Sequence, residues 1–177
     1  MNNRLWAFAA ALIAASPRLI ALLERWALLH PYNDIYNHGR LYMKRWWLLP
    51  RWCLRYDDKA GALMPARWMP FSVRLHHIVL PDPDRHLHDH PFAFRSIVLR
   101  GSYVEQDVSG ASRVVGPGST YASPPERFHR IASVRKGGAL SLFIMGRRQQ
   151  DWGFLVGDGR VPWRVYLDAA ANDVRRG

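Results

Sequence analysis

The sequence predicts an all-β barrel or sandwich preceded by an α-helical arm, and three observations carry that reading. From residue 71 onward, short runs of apolar and β-branched residues alternate with Gly, Pro, Ser and Asp turn signals at regular spacing. His86, His88 and His90 occupy alternate positions, a spacing that cannot share one face of a helix but projects to one side of a strand. Before residue 30 the pattern is different, with apolar residues recurring at helical spacing.

The arm opens with an unbroken apolar run from Leu5 to Ala15. That run is too short to span a bilayer, which takes about 20 apolar residues as a helix. It also resembles the centre of a signal peptide with a small-residue site at Ala14-Ala15-Ser16, but Pro17 disfavours cleavage there. Ser16-Pro17 instead reads as an N-cap and first helical residue, opening a second helix with Leu19, Leu22, Leu23 and Trp26 on one face. Residues 1–30 are therefore expected to form a helical arm that packs on the barrel, docks on a partner or lies in a membrane surface.

Residues 31–70 are read as a basic aromatic connecting segment. Between positions 40 and 56, Arg40, Tyr42, Lys44, Arg45, Trp46, Trp47, Arg51, Trp52, Arg55 and Tyr56 interleave cations with rings. Single-stranded nucleic acid, anionic membrane and cation–π packing all use this composition. The chain carries a net charge of +11, and residues 1–74 hold 11 Lys+Arg against 4 Asp+Glu. Such a balance favours anionic partners, although 22 of the 25 basic residues are Arg and Arg-rich composition alone produces the same solvated charge.

Residues 71–170 are read as the barrel. Phe71 to Leu80 forms a strand with Phe71, Val73, Leu75, His77 and Val79 on one face and Arg74, His76, Ile78 and Leu80 on the other. Pro81-Asp82-Pro83-Asp84 turns the chain into the histidine comb, and Phe94 to Leu99 follows as a strand ended by Gly101. Further strands are expected at 102–108, 113–115, 121–123 and 128–134, then at 139–145, 152–156 and 161–167, with a hairpin at Arg135-Lys136-Gly137-Gly138. With 177 residues, 49% of them apolar, the chain has enough for one full core. The single cysteine, Cys53, excludes an internal disulfide framework and a cysteine-based zinc site, which permits a reducing cytoplasm.

Two stretches carry a family resemblance. His88 and His90 stand in register with Gly101, and Gly118, Pro124 and His129 follow at the spacing of a second half-motif. Together, over roughly residues 72 to 156, they resemble the two motifs of the cupin superfamily, with Phe94 at the usual Glu, Glu126 in place of a Gly and Ser133 in place of an Asn. The stretches 85–91 and 146–154 are also similar to small single-domain cupins of bacterial and phage genomes. The resemblance implies a double-stranded β-helix, or jelly-roll, barrel and a metal held by His88, His90 and His129. A three-histidine set without a carboxylate is similar to that of cysteine dioxygenase-like cupins, so Fe(II) is the expected cofactor, with Zn, Ni or Mn as the other candidates.

The expected function is a non-haem Fe(II) dioxygenase acting on a small anionic substrate, with Arg95, Tyr103 and Glu126 as catalytic candidates. Arg74 and Tyr121 are candidates for binding the substrate, since an Arg fork reads a carboxylate or phosphate and a Tyr hydroxyl donates to an oxyanion. His86 and Asp89 are expected beside the ligands, orienting them. A non-catalytic cupin that binds nucleic acid, membrane or a protein through residues 40–56 is the alternative of another class, and a metal-dependent isomerase or hydrolase the third. A homodimer, a cytoplasmic location and peripheral membrane association complete the expectations.

Overall fold

In the computed structural model the described residues are 2–37, 39–58, 61–84 and 86–174, the last five by backbone only. Arg85 of the motif above lies outside them. Two helices come first, α1 (Asn3–Ala14) and α2 (Pro17–Leu28). Each starts where a side chain satisfies free N–H groups: Asn2 Oδ1 accepts from the Arg4 N–H at 3.1 Å, and Ser16 Oγ from the Leu19 N–H at 3.3 Å. The helices bend by 87° at the break between them, and among the described residues no single helix is long and apolar enough to cross a membrane.

The strands are β1 (Ile35–Asn37), β2 (Arg40–Trp47), β3 (Leu54–Asp57), β4 (Ala62–Pro65), β5 (Phe71–Ile78) and β6 (Leu87–His88). They continue with β7 (Phe94–Asp107), β8 (Ser112–Val115), β9 (Thr120–Ser123), β10 (His129–Gly146), β11 (Gly153–Val156) and β12 (Gly159–Pro162). Helix α3 (Trp163–Val174) follows β12, and β3 pairs with β4 in a separate two-stranded hairpin. Residues 31–70, read from sequence as a connecting segment, thus supply β1 and β2 to the edge of the main sheet next to β5.

Two strands organise everything else. Each of β7 and β10 runs through both halves of the structure, so one half reads β1-β2-β5-β10-β7-β9 and the other β12-β11-β6-β10-β7-β8. The sequence reading ended the first of these strands at Gly101 and placed a hairpin at 135–138; both positions instead lie inside continuous strands. The physical reason is that glycine with positive φ bends a strand without ending it. Gly101 sits at φ 70°, Gly137 at 95° and Gly138 at 84°, and the β10–β7 register shifts between Val134 and Ala139.

Side-chain alternation then sorts the two faces. Leu75, Ile97, Leu99, Leu140 and Leu142 point outward from the first half and meet Ala10, Ile20 and Ala27 of the helical arm. Burying each such aliphatic side chain stabilises the fold by roughly 1.5–3 kcal/mol. The arm's other face stays apolar and open, with Phe8 65%, Leu22 61% and Leu29 70% exposed. The opposite parity turns Arg74, His76, Phe94 and Ser96 inward, where Ile78, Val98, Tyr103, Val115 and Ile131 fill the space between the halves.

Residues 163–167 belong to α3, not to the strand expected at 161–167. Trp163 and Tyr166, one turn apart, stack on Trp152 (centroids 5.6 Å) and Phe154 (3.9 Å), so a helix covers two aromatic side chains that a strand would reach with only one face.

The bend at the two long strands gives the first prediction. A Cβ on Gly101 would lie 2.0 Å from the Gly138 carbonyl oxygen, and one on Gly138 would lie 2.7 Å from the Ile78 carbonyl oxygen, whereas one on Gly137 meets nothing within 4 Å. Gly101→Ala and Gly138→Ala are each expected to lose more than about 2 kcal/mol in urea unfolding, and Gly137→Ala only about 1 kcal/mol from backbone strain. Equal losses at the three positions would show that the close approach is not what holds the bend.

Candidate metal centre

His88 and His129 meet because β6 pairs with β10 at that one position, His88 opposite His129, while Phe154 of β11 flanks His88 on its other side. Directly opposed residues of an antiparallel pair share a face, and the two rings lie 5.1 Å apart. His90, two residues beyond His88, returns to the same face, its ring 5.2 Å from His88 and 5.0 Å from His129. One nitrogen of each imidazole lies within 4.8 Å of the others. Nε2 of His90 and Nε2 of His129 are 2.8 Å apart. Metal–nitrogen bonds of about 2.0–2.1 Å put adjacent ligand nitrogens about 3 Å apart, so these side chains fit a single divalent ion.

The comb is held from behind by Asp89, which points the opposite way. Its carboxylate, 1% exposed, accepts from the Gly153 N–H (2.6 Å), Arg160 Nε (2.7 Å) and Gln150 Nε2 (3.2 Å). Asp89 therefore anchors the backbone that carries His88 and His90 to β11 and its preceding loop.

His129 is oriented by a carboxylate that sequence reasoning missed. Glu105, also 1% exposed, accepts from His129 Nδ1 at 2.6 Å and is flanked by Arg113 (Nε, 2.8 Å) and Arg127 (Nη1, 3.0 Å). Burial alone would push the Glu105 carboxyl up, but the His129 hydrogen bond and the two guanidinium groups outweigh it and hold it at about 2. Its ionised form fixes the proton of His129 on Nδ1 and leaves the Nε2 lone pair facing the cluster. Asp82 stands in a similar place for His88, with Oδ2 3.6 Å from Nδ1, and is itself held by the Tyr42 hydroxyl and the Ile131 N–H.

Burial pushes both His88 and His90 below the ordinary imidazole value; Asp82 partly offsets this for His88, whereas His129 and His88 add to it for His90. Neutral imidazoles are the form that binds a metal. The wall around them is aromatic: Phe94 is 4.7 Å from His90, Phe154 6.2 Å from His88 and Phe92 6.1 Å from His90.

No protein-family model matches the sequence, and no curated protein matches it. Among solved structures the chain is similar to the DMSP lyase DddQ from Ruegeria pomeroyi DSS-3, with 15% identity, a TM-score of 0.52 and cover of 78% of this chain and 71% of that one. The chain has the cupin fold. It is also similar to KdgF from a Halomonas species (13% identity, 68% of this chain and 91% of that one, TM-score 0.45). In a structure of the DMSP lyases RdDddP and RnDddQII it spans 57% of the matched chain's length and 67% of its own, at 15% identity and a TM-score of 0.46.

Against the cupin motif, Phe94 stands at the usual Glu and supplies a ring to the wall, while Glu105, eleven positions on in the same strand, provides the carboxylate as a partner of His129. The other residues expected at the site are spread more widely. Tyr103 and Tyr121 face inward with their hydroxyls 3.2 Å apart, and Tyr121 adjoins Phe94 at 6.0 Å. Burial pushes both phenols up, Tyr121 the further, so both stay protonated at neutral pH.

Arg95 faces the other way. With Phe94 turned inward, strand alternation sends Arg95 out to Asn3 Oδ1 (3.0 Å), Thr120 Oγ1 (3.3 Å) and the face of Trp6, so it does not position a substrate at the histidines. Glu126 lies in the exposed turn before His129. His86 reaches the Tyr166 hydroxyl at 2.8 Å instead of a ligand histidine. Arg74 is inward and buried, sandwiched between the rings of Tyr32 and Trp47. A signal for Glu105 existed in the sequence, since it shares inward parity with Tyr103 on a strand otherwise fit for burial; Asp82 was legible only as a turn residue.

Two predictions follow from this electrostatic arrangement. Glu105→Gln keeps the shape and removes the charge, so metal affinity is expected to fall about 10- to 100-fold in a competition titration against a chelator; unchanged affinity would remove Glu105 from the site. The second concerns pH. His76, His88 and His90 all have their folded values lowered from 6.5, so below that value the unfolded chain binds more protons than the native one. Stability of the metal-free protein is therefore complete above about pH 6.5 and declines below it, with the Glu105 contribution lost in turn between 4.5 and about 2. Thermal melts in chelator across this range measure it, and a melting temperature that holds level from neutral down to about pH 5 would contradict the assignment.

Proposed function

We propose that the protein is a metal-dependent cupin enzyme in which His88, His90 and His129 hold Fe(II), and that it oxidises a small anionic substrate with dioxygen. The observation that carries this reading is the convergence of three imidazole nitrogens within 4.8 Å, with no carboxylate among them. Three neutral donors leave the charge of a divalent ion uncompensated, and an anionic substrate is the natural complement. When bound, the ion supplies Lewis acidity and, as iron, one-electron chemistry with dioxygen.

The chain's own residues supply the remainder. Glu105 retains the Nδ1 proton of His129 and keeps that ring from rotating. Phe92, Phe94 and Phe154 keep bulk water from the reacting atoms. Tyr103 and Tyr121, bonded to each other and both kept protonated by burial, add neutral hydroxyls to the interior and do not act as bases.

Metal analysis of protein purified without chelator or metal-affinity tag tests the reading, together with a His88→Ala/His129→Ala variant. One equivalent of iron, lost in the variant, followed by substrate-dependent oxygen consumption with small carboxylic acids or thiols, is the expected result. Failure to retain a first-row metal after anaerobic Fe(II) addition would overturn the metal site. Turnover that proceeds equally without dioxygen would replace the oxygenase with the isomerase or hydrolase alternative.

A further inference from the structure

Five arginines converge on a cleft outside the histidine cluster. Arg55, Arg67, Arg74, Arg147 and Arg148 line a cavity of about 370 Å³ bounded by the end of the β3–β4 hairpin and the segment after β10, and no acidic side chain lines it among the described residues. That volume suits a small molecule.

Arg74 is the buried member, 9% exposed. Its guanidinium is stacked between Tyr32 and Trp47, with 4.2 Å to each ring centroid, and its Nε has no hydrogen-bond partner among the described residues. The Nε of Arg55 is likewise buried without a partner, although its Nη1 pairs with Asp57 at 2.7 Å. Burying a cation is costly unless it is compensated. Ring faces and a hydrogen bond with Tyr32 compensate the Arg74 charge in part but leave its Nε–H unused. Burial lowers Arg74 only to about 10, so it remains a cation at neutral pH, and the charged and ionisable groups acting on it are Tyr32 and Arg45, neither of them a carboxylate.

Two of the other three arginines are placed by side-chain contacts through one Nη2 each, which leaves their remaining N–H groups as further donors. Arg147 Nη2 donates to the Arg67 carbonyl at 3.3 Å, linking the two sides of the cleft, and Arg148 Nη2 donates to Asp151 at 2.6 Å. A single carboxylate is saturated by one guanidinium fork, whereas a phosphate offers several oxygens and up to two negative charges for several forks at once. Phe92 forms part of the cleft wall and also faces His90, with ring centroids 6.1 Å apart, so the cleft lies beside the histidine cluster without including it.

We propose that this cleft binds the phosphate group of a small phosphorylated molecule, with Arg74 and Arg55 donating to its oxygens at the base and Arg67, Arg147 and Arg148 meeting it at the rim. The site stands on its own geometry and does not require metal chemistry at the histidines.

Calorimetric titration of the full-length protein with inorganic pyrophosphate, and with acetate at matched ionic strength, tests it. Saturable pyrophosphate binding is expected, at least about tenfold tighter than acetate. The exposed pair Arg67→Ser/Arg147→Ser removes two charge-assisted contacts without touching the core and is expected to weaken pyrophosphate about 100-fold. Arg74→Lys, which keeps the charge but loses the fork, is expected to weaken it about tenfold. The His88→Ala/His129→Ala variant is expected to bind pyrophosphate as the wild type does, which separates this site from the metal centre. No saturable binding at millimolar pyrophosphate would overturn the proposal, as would an affinity unchanged in the Arg67→Ser/Arg147→Ser protein. A lipid headgroup shares the same chemistry, so vesicles of phosphatidylglycerol in phosphatidylcholine form a parallel arm. Binding to vesicles without any binding of soluble pyrophosphate would also overturn it.

Discussion

The close approach of β7 to β10 at Gly101 and Gly138 is the constraint on which the rest of the structure depends. Where one carbonyl occupies the space that a Cβ at Gly101 would take, 2.0 Å away, only glycine lets both strands bend together and continue into the second half. The consequence is a division of labour along each strand. In β10, Leu140 and Leu142 face the helical arm, while His129 faces the interior of the other half. In β7, Ile97 and Leu99 do the first task and Glu105 the second. The bend therefore joins the hydrophobic contact that anchors the helices to the polar contact that builds the candidate metal centre.

Inside the second half, the dominant interactions are electrostatic. A carboxylate 1% exposed is costly by itself, and Glu105 is tolerated because three donors converge on it from β8, β10 and the turn before β10. The same network explains how this chain accommodates Phe94 at the position where the cupin motif has Glu. Here the carboxylate that touches the cluster, Glu105, holds His129 from behind, and the face where the three imidazoles converge carries no carboxylate. That arrangement raises the effective charge of any bound divalent ion and so its attraction for an anion.

The cations of the N-terminal part are distributed less evenly than their number suggests. Arg45 and Arg74 are drawn into the interior against Tyr32 and Trp47, where ring faces replace water. Much of the interleaved segment 40–56 is therefore packing: Tyr42 and Trp47 are buried, and Trp46 joins the cluster beneath the helical arm. Trp52 and Tyr56 stay exposed, with Trp52 stacked on Trp68 at 5.9 Å. Arg55, Arg67 and Arg74 line one cleft together with Arg147 and Arg148, whereas Arg4, Arg18, Arg25, Arg40 and Arg51 stay exposed elsewhere.

Local rules made much of the chain legible. The helix cap at Ser16, the alternation that splits β5 into an Arg74–His76 face and a Leu75–His77 face, and the i, i+2 spacing of His88 and His90 all depend on neighbours a few residues apart, so the sequence by itself determined them. The all-β class was legible from the alternation of short strands and turns, whereas the grouping of His88 and His90 with His129, 39 positions beyond His90, came from the resemblance to the cupin motifs. Residues whose role depends on distant chain were not legible. Gly101 read as a strand end because its partner Gly138 is 37 positions away, Val161 to Leu167 read as a strand because the aromatic rings that favour a helix lie on β11 and its preceding loop, and Arg95 read as a site residue until Phe94 took the inward face. Glu105, Asp82 and the arginine cleft were decided only by tertiary structure, since a charge acquires its partners, its burial and hence its function from strands that the sequence does not place side by side.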